Sequence, residues 1–183
     1  LEQELTVRRP RRTALAAAAA VAPAAFATPQ ASALDLVRCA AGSETTTYSP
    51  PLSDTPQTVT GTTTGTYDPC IVVSGLAITS RTGSYSGTIG PSSRTCSDLL
   101  TSRPGQRTIN WSTGTTSTFT FTTTVTNVGG GILQALQLGT ITAGEFNGLP
   151  ATGIVLLTAS DLDACSTTGV SALNGLVNLT IGI

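Results

Sequence analysis

Residues 107–128 read Arg-Thr-Ile-Asn-Trp-Ser-Thr-Gly-Thr-Thr-Ser-Thr-Phe-Thr-Phe-Thr-Thr-Thr-Val-Thr-Asn-Val. Ile109 and Trp111 alternate with Thr108 and Asn110, and Phe119, Phe121 and Val125 alternate with threonines. A period of two puts the aromatic residues on one face of a strand and the hydroxyls on the other. The stretch therefore predicts a β-hairpin. A three-residue loop, Ser112-Thr113-Gly114, with Gly114 at positive φ, pairs Ile109 with Ser117 and Arg107 with Phe119. That register keeps Ile109 and Trp111 on the phenylalanine face. A two-residue loop at Thr113-Gly114 would turn them to the threonine face, so it is rejected.

Working outward, residues 44–48 predict a first strand ended by Pro50-Pro51, and residues 58–67 a second, weakened by Gly61 and Gly65. Asp68-Pro69 reads as a turn into residues 71–80, an apolar strand buried on both faces. Gly83 and Gly90 bracket a strand through Tyr85 and Ile89, and residues 92–106 form the longest loop. After the hairpin, Gly129-Gly130-Gly131 reverses the chain. Residues 132–142 follow, with Leu136 and Leu138 on one face, Leu133, Ala135 and Ile141 on the other, and room for a bulge between them. Phe146 anchors a turn, residues 151–158 form the next strand, and 161–169 a loop around Cys165. The closing strand alternates Val177, Leu179, Ile181 and Ile183 with Asn178, Thr180 and Gly182. Eight or nine short strands without a helix point to an all-β fold, an immunoglobulin-like antiparallel β-sandwich.

The chain has 183 residues. Arg8, Arg9, Arg11 and Arg12 precede an apolar run at 14–22, and Ala31-Ser32-Ala33 fits the small-x-small cleavage rule. This predicts a secretory signal peptide over 1–33, of the Sec type, followed by one exported domain over 34–183. Pro23 and Pro29 interrupt a run already too short to span a bilayer, so no membrane span is expected in the mature form. After Ala33 the charge is carried by five arginines and eight acids, a net of −3. Scattered arginines make no phosphate-tracking stripe, and nucleic acid is excluded as a partner. Threonine, serine and glycine take the place of charge, which suits strands and a surface that is cheap to desolvate.

Cys39, Cys70, Cys96 and Cys165 all fall in the exported part. None forms a C-x-x-C pair and the chain has no histidine, which argues against a zinc or redox centre. Two disulfides are expected, with three connectivities open. Cys70–Cys96 with Cys39–Cys165 is favoured, because Cys70 and Cys96 flank a candidate strand pair. Cys39 and Cys165 each lie shortly before a strand, and meet if the first and last strands run parallel.

Without histidine or lysine, Ser-His-Asp, Cys-His and Ser-Lys arrangements and Schiff bases are excluded. Carboxylates remain. Asp161 and Asp163 could hold calcium, or act with Glu145 as a glycosidase-like couple, but loop solvation explains them as well. Trp111 could stack a sugar, although its alternation with Ile109 places it in the core. Arg94 and Asp98 read as a surface pair. No phosphate loop is present, and no cofactor or metal is expected.

The pattern Cys39-Ala40-Ala41-Gly42-Ser43-Glu44-Thr45-Thr46-Thr47-Tyr48-Ser49-Pro50 is distinctive. So are Thr108-Ile109-Asn110-Trp111, Gly139-Thr140-Ile141-Thr142-Ala143-Gly144-Glu145-Phe146 and the surroundings of Ala164-Cys165. Together they resemble a family of small secreted β-sandwich proteins of high-GC Gram-positive bacteria. The resemblance implies export and a sandwich, and no activity.

The leading expectation is a secreted, non-catalytic binding or structural module, an adaptor for an extracellular protein or a cell-wall or glycan surface. A second is a protease inhibitor presenting Arg94 on an exposed loop beside Cys96. A third is a carbohydrate-acting enzyme or glycan-binding module.

Overall fold

The computed structural model describes residues 35–129 and 131–182, without the side chains of residues 159–161. The expected signal peptide and its cleavage site, Gly130 of the triple glycine and Ile183 lie outside the described residues. Nine strands follow in order: β1 (Leu36–Cys39), β2 (Gly42–Leu52), β3 (Gln57–Ser74), β4 (Ala77–Arg94), β5 (Arg103–Trp111), β6 (Thr116–Gly129), β7 (Ile132–Gly144), β8 (Pro150–Thr158) and β9 (Val170–Ile181). Short 3-10 helices, Cys96–Leu100 and Ala159–Ser166, precede β5 and β9.

The all-β class, the strand number and the two disulfides match expectation, while the arrangement differs. All nine strands belong to one antiparallel sheet. From β2 to β9 each strand pairs with its successor, and β9 returns to pair with β2. The sheet thereby closes on itself as a barrel, which removes its edges. β1 lies in line with β2, between the same neighbours, β3 and β9. The reason lies in Asp68-Pro69, Gly83 and Gly90, read as strand ends. β3 and β4 are each 18 residues long, and β3 runs straight through Gly61, Gly65 and Asp68-Pro69. Register shifts at Val59/Gly61 and Tyr67/Cys70 absorb Gly61 and Asp68-Pro69 as bulges, while Gly65 keeps regular pairing with Tyr85; bulges bend and coil a strand without ending it. Long coiled strands can close a ring where short ones would stack as two layers.

The stretch 71–80 is corrected likewise. Gly75, at φ 59°, and Leu76 turn β3 into β4, with Ser74 opposite Ala77. Leu76 and Ile78 at this tip are exposed rather than buried.

The 107–128 hairpin has the expected register, Arg107 opposite Phe119 and Ile109 opposite Ser117. Gly114 has φ 86°, and its N–H donates to the Trp111 carbonyl. Trp111 is a core residue, edge-on to Phe146 at 6.1 Å, with its indole N–H donating to Ser117 Oγ at 2.8 Å.

Two apolar clusters fill the barrel. The larger gathers Val37, Tyr67, Ile109, Trp111, Phe119 and Leu179, among others. The smaller holds Tyr48, Leu52, Val59, Cys96, Val170 and Leu173. Along β1 and β2, which lie in line, Glu44 and Thr46 fall between Cys39 of the first and Tyr48 of the second. Along β3, Thr63 falls between Tyr67 and Val59. A polar layer thus separates two apolar ones, and the cavity lies there.

The disulfides join Cys39 to Cys70 and Cys96 to Cys165, not the expected pairs. Cys39 and Cys70 are register partners across antiparallel β1 and β3, with Cα atoms 4.0 Å apart. Cys96–Cys165 ties the two 3-10 helices together across the end of the smaller cluster. The first and last strands run antiparallel, Val37 opposite Ile181, so the basis for the expected pairing is absent.

Candidate binding cavity

Between β4 and β5 the ring is held by two register pairs, Gly83–Trp111 and Ser84–Asn110. Beyond them β4 continues through Tyr85 to Arg94, and β5 runs from Arg103 to Ile109, with no pairing between the two. A cavity of about 470 Å³ opens at this gap and reaches the polar layer. Its size falls in the range of small-molecule sites, about 300–1,000 Å³.

Alternation aims the buried part of the lining inward. Glu44, Thr46 and Tyr48 share a parity on β2, as do Arg107, Ile109 and Trp111 on β5. Arg107 lies 3.4 Å from Glu44 Oε2 and donates to the Tyr67 hydroxyl at 3.1 Å. Its guanidinium stacks 4.4 Å over the Tyr85 ring and 5.0 Å over Phe121. The Tyr85 hydroxyl donates to Glu44 Oε2 at 2.7 Å. Burial opposes the charge on Arg107, but Tyr67, Tyr85 and Glu44 outweigh it and hold its pKa above the ordinary value. Burial drives the Tyr85 and Tyr67 phenols up, so both stay neutral.

Two aromatic walls depend on glycines opposite them. Gly65 faces Tyr85 across β3–β4, and Gly105 faces Phe121 across β5–β6. A Cβ on Gly65 would lie 2.2 Å from the Tyr85 ring, and one on Gly105 would lie 2.5 Å from that of Phe121. Each ring covers a bare strand backbone, the pairing that compensates a glycine in a sheet.

The wall next to β5 carries Thr123 and Gln137, register partners on β6 and β7, with Thr123 also opposite Arg103. Thr46 and Thr63 share a 2.8 Å hydrogen bond. Gln137 is only 6% exposed, and its Oε1 has no hydrogen-bond partner. Orphaned buried amide oxygens are costly, of order 1–3 kcal/mol. The oxygen itself is sealed off, and a Cβ on Gly153, its register partner on β8, would lie 2.8 Å from it.

The residues singled out from sequence fall elsewhere or in other settings. Arg94 closes β4 opposite Gln57, half-buried, with its Nε donating to Ser92 Oγ at 2.8 Å. It is therefore on a paired strand and not on an exposed inhibitory loop, because β4 extends through residues expected to be loop. No ion pair joins it to Asp98, whose carboxylate instead accepts from the Thr95 N–H at 2.7 Å. Glu145 is taken up by Arg81 at 2.9 and 2.8 Å. It follows β7, whereas Asp163 follows β8, and Ile132 pairs with Thr158. The two carboxylates thus stand at opposite ends of β7 and cannot act as a couple. The side chain of Asp161 lies outside the described residues. Among the described residues, Asp54, Cys96 and Cys165 cluster at metal-ligand spacing, but both sulfurs are committed to a disulfide.

Sequence reading missed Glu44, Arg107, Tyr85 and Gln137 as a group. Parity was the available signal. Gln137 has the parity of Leu133, Ala135 and Ile141, and Arg107 that of Ile109 and Trp111.

No helix among the described residues is long and apolar enough to cross a membrane. Comparison with known protein families, curated proteins and solved structures finds no match to the chain.

Proposed function

We propose that the chain is a non-catalytic binding module acting outside the cell, which takes a small ligand into its barrel through the β4–β5 gap. The observation that carries this reading is the polar cavity that opens at the unpaired stretch between β4 and β5. Two disulfides fit an oxidising compartment. Glu44, the one carboxylate on the cavity wall, is committed to Arg107 and Tyr85, which suits it to structure more than to proton transfer. The adaptor reading rests on threonine-covered outer faces alone, and the inhibitor reading lacks its exposed loop.

The test is retention of a small molecule from culture-medium extract, identified by mass spectrometry. The protein should hold a molecule and return it chemically unchanged. Thr123→Phe, which fills the cavity from β6, should abolish retention while the folded β spectrum persists. Equal retention by that variant, or recovery of an altered molecule, would overturn the reading.

A further inference from the structure

The distribution of charge around the gap says what kind of ligand the cavity takes. Of the five arginines after Ala33, three (Arg94, Arg103 and Arg107) line it, in a segment whose net charge is −3. Glu44 is the one acid on its wall, and it is occupied by Arg107 and Tyr85. Among the described residues Arg94 and Arg103 form no ion pair. Asp98, whose charge both arginines feel, is held by Thr95 through its backbone N–H and hydroxyl. Arg94 and Arg103 also act on the buried Tyr48 phenol, pulling its pKa down against the burial that raises it, which places both charges at the Tyr48 side of the cavity. Guanidinium groups left without carboxylates at the entrance of a half-enclosed site attract anions, and carboxylates above all.

Beside Arg103, whose register partner is Thr123, the lining changes character. Thr123 and Gln137 offer polar groups on one wall, while Tyr85 and Phe121 offer ring faces on another. Gln137 contributes an amide to the polar wall. A hydroxyl both donates and accepts, so it suits the amide in either orientation. Ring faces beside hydroxyl-binding groups fit a compact skeleton that carries C–H on one side and O–H on another.

We infer that the cavity binds a small hydroxylated carboxylate of the sugar-acid class, its carboxylate on Arg103 and Arg94 and its hydroxyls on Gln137 and Thr123. This rests on the binding reading above and narrows it to one ligand chemistry. Arg107 stays with Glu44 and presents the stacked floor.

The probes are glucuronate, glucose and benzoate, titrated into the purified full chain and followed by amide and side-chain NMR shifts. Glucuronate should perturb Gln137, Thr123 and Tyr85 and bind at least about tenfold more tightly than glucose, the order expected of one charge-assisted contact. Its affinity should fall with added salt. Arg94→Gln with Arg103→Gln should erase the difference between glucuronate and glucose without unfolding the barrel, because both side chains sit at the entrance. Equal binding of glucose would overturn the anion assignment and leave small-ligand binding in place. Benzoate binding as tightly as glucuronate would overturn the role of the hydroxyls. If none of the three binds, yet extract supplies a molecule that Thr123→Phe excludes, the ligand class is wrong and the binding module stands. A cavity that retains nothing from extract overturns both.

Discussion

Burial keeps all three tyrosines of this chain neutral. Tyr48, Tyr67 and Tyr85 each have their pKa raised, with desolvation the foremost cause. An unfolded tyrosine ionises near pH ~10. Above that pH the unfolded chain has released protons that the folded chain still holds. The stability contributed by these side chains is therefore complete below about pH 10 and is lost as the pH rises past it. Spectrophotometric titration should show no tyrosinate until alkaline unfolding, and then all three ionising together. Reversible ionisation of any one near pH ~10 in the folded protein would contradict this. The same inward–outward logic separates neighbours on β6. Phe121 is buried and Thr122 exposed. Phe121→Ala should cost ~3–5 kcal/mol and Thr122→Ala within about 0.5 in denaturant melts. Equal effects would show that the facing is wrong.

At the scale of elements, the glycine–aromatic pairs couple the sheet to the cavity. Gly65→Ala puts a methyl group where the Tyr85 ring lies. The ring must shift, and its bond to Glu44 goes with it. Overpacking of this kind costs ~1–3 kcal/mol. The variant should melt earlier, and the Arg107 side-chain NMR signal should move, since Arg107 stacks on that ring. An unshifted Arg107 signal would show that Tyr85 is not held by the glycine. Elements also mark what was legible beforehand. The 107–128 hairpin was readable to the residue because one face is aromatic, the other is threonine, and a single loop length satisfies both. β3 and β4 were not. Asp68-Pro69, Gly83 and Gly90 act as local breakers in isolation, and only cross-strand pairing shows that β3 and β4 run on through them. The tip at Gly75-Leu76 escaped because its flanking residues are apolar on both parities. Gln137 was hidden by the reading of β7 as two competing apolar faces, each of which carries a glutamine, Gln134 on the outer and Gln137 on the inner.

At the scale of the molecule, the cysteines show the limit of sequence reading. An even count outside the cell predicts two bridges, and two are present. Partnership depends on which strands adjoin, which no spacing reveals. Unreduced protein should lack four hydrogens by mass, and peptide maps should join Cys39 to Cys70 and Cys96 to Cys165. Recovery of Cys70 with Cys96 would refute the barrel register at β1–β3. By chain entropy each bridge restrains the unfolded state by roughly 4 kcal/mol. Reduction should therefore lower the melting temperature markedly.

The junction held by only two pairs, Gly83–Trp111 and Ser84–Asn110, sets where this ring can change its girth. Prising apart β6 and β7 or β7 and β8 would break a long ladder. Parting β4 from β5 beyond Ser84 breaks no ladder bond at all. The junction works as a buckle does on a belt: the circumference is set there, by how far the segment between Arg94 and Arg103 lets the two strands stand apart. Lengthening or shortening that segment would resize the cavity and leave the other seven junctions untouched. A single barrel can in this way be fitted to ligands of different breadth by changes confined to one connection.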